Sequence, residues 1–290
     1  MERTAGGAVI VIGNGEMGSA VAQALAAAGA QVRTSLRGRS TESRERARRA
    51  GLSVIDDDDE LLRGAAFLLS VVPPGQARAV AERFAGPLKR AATPPIYADC
   101  NAVAPATTSA IGELIERSGA SYVDGSIVGP PNFDRSRPSS ARIFVSGAQS
   151  ARLLELKGIE WIRLEGPVGA ASALKMAYAG LTKGLTALGA AMIMGANRYQ
   201  VAEALKTELN RSAGGILRHL SNTIPSVPRK AYRFVAEMEE IARFAGGRDT
   251  GGTIYEGTAA IYAFLAEQCG SPSEPLGSPA AELLDFFARG

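Results

Sequence analysis

Ala8-Val9-Ile10-Val11-Ile12 runs straight into Gly13-Asn14-Gly15-Glu16-Met17-Gly18, and small and apolar residues continue to Ala28. Five consecutive apolar residues read as a strand buried on both faces, and the segment from Met17 reads as a helix. Glycines at the first and third positions of the turn permit a tight reversal and close backbone approach. The last glycine lets helix lie against strand. A pyrophosphate fits the free N–H groups and the positive dipole end at such a junction. Gly13, Asn14, Gly15, Glu16, Met17 and Gly18 are therefore the expected cofactor loop of a dinucleotide site.

Beyond this turn, strand and helix signals alternate. Strands are expected at 31–36, 52–55, 67–72 and 96–98, with helices at 41–50 and 105–118, and shorter strands at 121–123, 142–145 and 161–164. That alternation predicts an α/β fold, a doubly wound parallel sheet with right-handed crossovers. From Gly169 the strand signal stops. Helices are expected over 169–196, 199–222, 228–245, 252–268 and 279–288. The expected division is a Rossmann domain over 1–167 and an all-helical substrate and dimerisation domain over 168–290, joined through the first long helix. That helix would be about 40 Å long, more than one domain's core requires.

Composition bounds the reading. The chain has 290 residues, 46% hydrophobic and 21% charged, with a formal net charge of +3. Such a balance gives no general case for nucleic-acid binding. Cys100 and Cys269 have no metal-ligand spacing, and with His219 the single histidine no metal site is expected. The cysteines read as free thiols of a cytoplasmic protein. Residues 176–197 are apolar enough to suggest a membrane span, but Lys183, Thr182 and Thr186 favour a buried helix, so no membrane partner is expected.

Cofactor choice is expected at the end of the second strand. Ser35-Leu36-Arg37-Gly38-Arg39-Ser40 lacks the acid that binds a ribose 2′-hydroxyl in NAD enzymes. Arg37 and Arg39 suit a 2′-phosphate, with Ser40 adding a hydrogen bond, which favours NADP(H). The other reading places these arginines with the solvated basic helix that follows. Val72, Pro73 and Pro74 end the fourth strand, and their rigid turn either supports a nicotinamide ring or merely terminates the strand. Asp56-Asp57-Asp58-Asp59-Glu60 reads as a solvated, helix-capping turn.

Lys175 is the sharpest catalytic candidate. It lies in Ser172-Ala173-Leu174-Lys175-Met176-Ala177-Tyr178 on an otherwise apolar helix, where lost hydration would push its pKa down toward a useful range. Tyr178 and Thr182 follow at spacings that share its face. The competing reading is a lysine reaching solvent at the helix edge, and Lys183 has the same two readings. His219 reads as surface or core, and Cys100 has no apparent base to activate it.

Together these residues resemble the β-hydroxyacid dehydrogenases, the group of 3-hydroxyisobutyrate and 6-phosphogluconate dehydrogenases, over nearly the whole chain. Gly13-Asn14-Gly15-Glu16-Met17-Gly18 is similar to the family's GxGxMG loop, and Asp99-Cys100-Asn101-Ala102-Val103-Ala104-Pro105 to its substrate loop. Asp124-Gly125-Ser126-Ile127-Val128-Gly129-Pro130 stands where the glycine-rich substrate motif falls. Gly166-Pro167-Val168-Gly169 leads in to the lysine. The segments 175–184 and 236–242 resemble a branch whose second domain is phosphogluconate-dehydrogenase-like.

The resemblance implies hydride transfer between nicotinamide and a hydroxyl/carbonyl pair, with Lys175 as general acid/base. Asn101, Ser126, Tyr178, Thr182 and Lys183 would face the small-molecule substrate, and Asn101 the cofactor as well. It also implies a homodimer with interlocked C-terminal domains. The chain departs from the family's K-x-x-N-N, which becomes Lys175-Met176-Ala177-Tyr178-Ala179, and Asn101 and Val128 replace the usual hydroxyl side chains. These changes keep two alternatives open: an imine reductase on the same scaffold, or a non-catalytic NADP-sensing protein.

Overall fold

The computed structural model describes residues 7–38, 41–134, 136–137, 140–246, 251–268 and 278–288. The chain divides into two compact units between Lys175 and Met176. In the first, β1 (Ala8–Ile12), α1 (Glu16–Ala27), β2 (Val32–Thr34), α2 (Thr41–Arg49), β3 (Ser53–Val54), α3 (Asp58–Leu62) and β4 (Ala65–Ser70) follow in order. Then come α4 (Ala77–Arg90), β5 (Ile96–Asp99), α5 (Pro105–Glu116), β6 (Tyr122–Val128), β7 (Arg142–Ser146), β8 (Glu160–Arg163) and the start of α6 (Ala170–Arg198).

These strands form one eight-stranded sheet in the order β3-β2-β1-β4-β5-β6-β7-β8. Strand alternation sends Val9 and Val11 to one face, with Phe67, Leu69 and Val123, while Ile10 and Ile12 join Leu68, Tyr97 and Phe84 on the other. Both faces are thus covered, which is why β1 reads as an uninterrupted apolar run.

Two departures from the expected pattern have local causes. β7 pairs antiparallel to β6, although β8 is again parallel to β7. Gly129, at φ +122°, and the prolines after it turn the chain back without a crossover helix among the described residues, and such a return can only be antiparallel. α4 was not expected, because Gly86 and Pro87 interrupt its helical pattern. The proline stands in the last turn and forgoes one ladder bond there, and the burial of Phe84 and Leu88 beside it holds the helix in place. The acidic run behaves as expected at its start: Asp57 accepts from Glu60 N–H at 2.8 Å and caps the short α3.

The second unit contains the rest of α6, then α7 (Ala202–Ser212), α8 (Gly214–Thr223), α9 (Ala231–Phe244), α10 (Gly252–Glu267) and α11 (Ser278–Ala288). The single helix expected over 199–222 is two helices, broken at Ala213 (φ −141°, ψ 41°) ahead of Gly214-Gly215. α6 has 29 residues and is long and apolar enough to cross a membrane by composition alone. Within this unit its glycines seat neighbouring helices. A side chain at Gly189 would meet Leu220 of α8 at 2.3 Å, and one at Gly180 would meet Tyr255 of α10 at 2.9 Å. Lys183 forms an ion pair with Glu237 of α9, and its ammonium lies 4.5 Å from the Phe234 ring centre.

The start of α6 is fastened to the sheet by one buried carboxylate. Asp124 of β6, fully buried, accepts from Ser172 Oγ (2.6 Å) and Thr108 Oγ1 (3.3 Å) on one oxygen. The other oxygen accepts from Ser146 Oγ (3.0 Å), Gly169 N–H (2.9 Å) and Ser172 N–H (3.0 Å). Ser146 Oγ in turn accepts from Ala171 N–H at 3.1 Å, and Ala170 N–H reaches Pro167 O at 3.2 Å. Every N–H from Gly169 to Ser172 therefore has an acceptor. Removing the carboxylate orphans several buried donors at once. Asp124→Ala should lose about 3 kcal/mol or more in denaturant unfolding; a loss below about 0.5 kcal/mol, the scale of an ordinary surface change, would show that this network does not hold the helix.

Candidate functional site

The glycine turn has the geometry a dinucleotide needs. Gly13 adopts φ +117°, and a Cβ there would lie 1.9 Å from the Val71 carbonyl oxygen; one on Gly18 would lie 1.7 Å from Gly13 O. Only glycine permits these two contacts, which hold β1, α1 and the end of β4 together. Gly15 differs: it is exposed, and a Cβ there would meet nothing within 4 Å. Gly15 is the N-cap of α1 and no side chain caps that end. The turn therefore offers an open approach to an uncapped helix N-terminus, which suits a pyrophosphate.

Its neighbours divide between ligand and scaffold. Asn14 is buried, and its Nδ2 donates to Thr34 Oγ1 at 3.2 Å while Thr34 donates to Val11 O at 2.8 Å. Asn14 thus braces the turn against β2 from within. Glu16 is exposed in the first turn of α1, and Met17 is half-buried against the core.

The strand ends are joined by Asn101. Its Oδ1 accepts from Val72 N–H at 2.6 Å, its Nδ2 donates to Ser70 Oγ at 3.0 Å, and its own N–H donates to Asp99 Oδ1 at 3.0 Å. Both ends of this amide are engaged by protein, so Asn101 fixes the Val72-Pro73-Pro74 turn. Ser126 is also fully buried, with a hydroxyl that has no protein partner. Gly125 beside it is required by packing: a Cβ would stand 2.9 Å from Cys100 Sγ and 3.1 Å from Asp99 O.

Asp99 and Asp124 lie directly opposite one another on β5 and β6. Burial, and after it the charge of Asp124, push the Asp99 carboxyl up to about 7 against the lowering effect of its bond from Asn101 N–H. Asp99 Oδ2 has no partner. The Cys100 thiol is pushed up by burial first and by the two carboxylates next, which leaves it unreactive.

At the end of β2, Arg37 Nη2 donates to the Asp56 carbonyl at 2.8 Å, and its Nη1 lies 3.7 Å from Asp58. Arg39 and Ser40 lie outside the described residues. Sequence reasoning left Asp56, Asp58 and Arg83 out of this corner. The acidic run after β3 was the available signal, since a turn at that point lies beside the end of β2.

Lys175 is half-buried, one turn beyond the residues of α6 that Asp124 holds. On the same helix Tyr178 is 51% exposed, and Thr182 Oγ1 donates to Tyr178 O at 2.8 Å. Lys183 is committed to Glu237 within the second unit.

A parallel-dominated sheet, an open glycine turn at an uncapped helix and a helical C-terminal region define a dehydrogenase-like, nicotinamide-dinucleotide-binding fold. The NAD binding domain of 6-phosphogluconate dehydrogenase matches residues 8–153, and a domain of unknown function matches residues 196–265. An uncharacterized 28.5 kDa protein of Methanothermus fervidus, from the 7S RNA 5′ region, is 27% identical over 235 residues, spanning 79% of this chain and 88% of that protein. A conserved protein of unknown function, described as structurally similar to 3-hydroxyacid dehydrogenases, is 28% identical with a TM-score of 0.66, covering 89% of this chain and 96% of its own. The 3-hydroxyisobutyrate dehydrogenase of Mycobacterium tuberculosis shares the fold, with a TM-score of 0.73 at 17% identity over 98% of this chain and 100% of that one. The chain belongs to the β-hydroxyacid dehydrogenase-like family.

The Asp99 carboxyl gives this site a measurable signature. Its pKa is higher folded than in the unfolded chain, where it is about 3.9. The fold therefore binds the extra proton between about pH 4 and 7, and loses stability as pH rises through that window. The full effect is at most about 4 kcal/mol. Asp99→Asn should raise the urea midpoint at pH 8 and change it much less at pH 5; an equal change at both pH values would show that Asp99 does not titrate in this window.

Proposed function

We propose that the protein is an NADP(H)-dependent oxidoreductase acting on a hydroxyl/carbonyl pair, with Lys175 as its general acid/base. The open glycine turn at the uncapped end of α1 carries this reading, and family membership supports it. The nicotinamide supplies the hydride donor or acceptor when bound. Gly13 to Gly18 would receive the pyrophosphate, and Arg37 the 2′-phosphate. In the oxidative direction the substrate carbon gives up its hydride while its hydroxyl proton passes to the Lys175 amine; in reduction the Lys175 ammonium returns that proton to the carbonyl oxygen. Asn101 holds the Val72-Pro73-Pro74 turn, and its second Nδ2 hydrogen would face the substrate and cofactor.

Nicotinamide fluorescence on titration with NADPH and NADH tests the cofactor reading, and tight NADPH binding is expected. Turnover should then be found on a panel of 3-hydroxy acids or their carbonyl partners. Lys175→Met should lower kcat by about 10²–10⁴-fold while NADPH binding stays within about threefold. Normal turnover in this variant would remove Lys175 from the chemistry, and activity on cyclic imines alone would replace the substrate class.

The same reading includes a homodimer. Leu181, Leu188 and Met192 are exposed by 74, 46 and 63% along one stripe of α6, at the spacing of a helical seam, and Tyr199 just past its end is 78% exposed. A second copy of the chain is the proposed cover. Light scattering at micromolar concentration should give twice the chain mass; a monomer would overturn it.

A further inference from the structure

The corner where β2 ends holds a buried charge that the proposed chemistry does not use. Asp58, at the start of α3, is 9% exposed and accepts from Arg83 of α4 through both oxygens, one of the bonds being 2.9 Å. Arg83 also donates to Ser35 Oγ at 2.8 Å, and its guanidinium carbon lies 5.0 Å from the Phe84 ring centre. On its other side the Asp58 carboxylate lies 3.7 Å from Arg37 Nη1. Asp56 completes the corner: its Oδ1 accepts from Leu36 N–H at 2.8 Å, and its carbonyl accepts from Arg37 Nη2. One nearly buried carboxylate thus stands between two guanidinium groups of unequal freedom. Arg83 has a side chain only 26% exposed, whereas that of Arg37 is 60% exposed.

We propose that Asp58 is a specificity-determining residue for the dinucleotide, and that its competition with a 2′-phosphate for Arg37 sets the preference between phosphorylated and unphosphorylated cofactor. This rests on the dinucleotide reading above. The end of β2 receives the adenosine ribose in a fold of this kind. A 2′-phosphate arriving there meets the exposed, positive Arg37 and the nearly buried, negative Asp58 together. Arg83 is the positioning residue of the set: it takes up most of the Asp58 charge in a two-oxygen pair and so leaves Arg37 free to turn toward the ligand. An unphosphorylated ribose carries no charge and responds to none of this.

The consequences have opposite signs for two substitutions. Asp58→Asn removes the competitor, and NADPH affinity should rise roughly tenfold, the scale of one charge acting on a phosphate dianion a few ångströms away near a surface. Arg83→Gln leaves Asp58 with Arg37 alone, and NADPH affinity should fall by roughly the same factor. NADH affinity should stay within about twofold in both, which also reports an intact fold. Dissociation constants for both cofactors, from nicotinamide fluorescence on the full chain, give the ratio for each protein.

A ratio that rises in Asp58→Asn and falls in Arg83→Gln supports the proposal. A ratio unmoved by either substitution, with both proteins still binding NADH, overturns it. Should Asp58→Asn fail to fold, Arg37→Gln replaces it: NADPH affinity alone should drop, and adding Arg83→Gln should then cost much less than it does with Arg37 present. Independent, additive losses would overturn the competition. A parent protein that binds neither cofactor overturns the dinucleotide reading itself, a result distinct from binding with an unmoved ratio.

Discussion

The first unit is organised around a carboxylate kept away from water. Asp124 has no guanidinium or ammonium partner among its described hydrogen bonds; its charge is met by hydroxyl groups and by the N–H groups of a helix start. This arrangement works because a helix N-terminus is itself electropositive and has donors to spare. Its cost in desolvation is offset only if every lone pair is used, and five donors converge on it. The interaction also explains the sequence around α6. Gly169, at φ +103°, presents its N–H from a conformation other residues adopt rarely, and Ser172 contributes both its N–H and its hydroxyl. Lys175 then follows within one helical turn of a fixed origin.

The neighbouring strand ends serve rigidity. Asn101 ties the backbone after β4 to the side chains at the end of β4 and β5, and Gly125 lets the end of β5 lie against β6 without a side chain between them. The two carboxylates that result, Asp99 and Asp124, face each other in register in a dry interior. Asp124 receives five donors, whereas Asp99 has one backbone donor and an orphaned oxygen. Burial and the adjacent charge act on Asp99 together, which is why its carboxyl sits near neutrality. The rim beside the glycine turn is stiff at the expense of one strained group.

Local pattern made much of this legible. The strand, turn and helix from Ala8 to Ala27 are where periodicity and glycine placement put them, and the exchange of strands for helices after β8 was visible as well. What stayed hidden was non-local. The partners of Asp124 lie 16 to 48 residues away in sequence, so nothing near it distinguishes a helix anchor from a motif residue. The direction of β7 depends on the path of a loop whose residues carry no strand signal. Asn101 could be recognised as belonging to a ligand-facing loop, but only the register of β4 and β5 shows that its amide also ties Val72 to Ser70. Arg37 was readable as a phosphate ligand, whereas the acidic neighbours that hold it come from the far side of β3.

The polar residues of α6 sort by the same rule. A lysine on an apolar helix needs a partner or a route to water. Lys183 has the first: Glu237 pairs with it, Phe234 lies against its charge, and Tyr262 donates to its carbonyl at 2.7 Å. Thr186 donates to Thr182 O at 2.9 Å, and His219 Nε2 lies 3.0 Å from the same carbonyl, so these groups bind α8 to α6. Each of these polar side chains is satisfied by helices of its own unit and explains the packing there. Lys175 is half-buried at the last position of the first unit, and its place follows from the sheet through Asp124. The buried network around Asp124 thus fixes the helix turn that precedes Lys175, just as the pairing with Glu237 fixes Lys183 in the second unit.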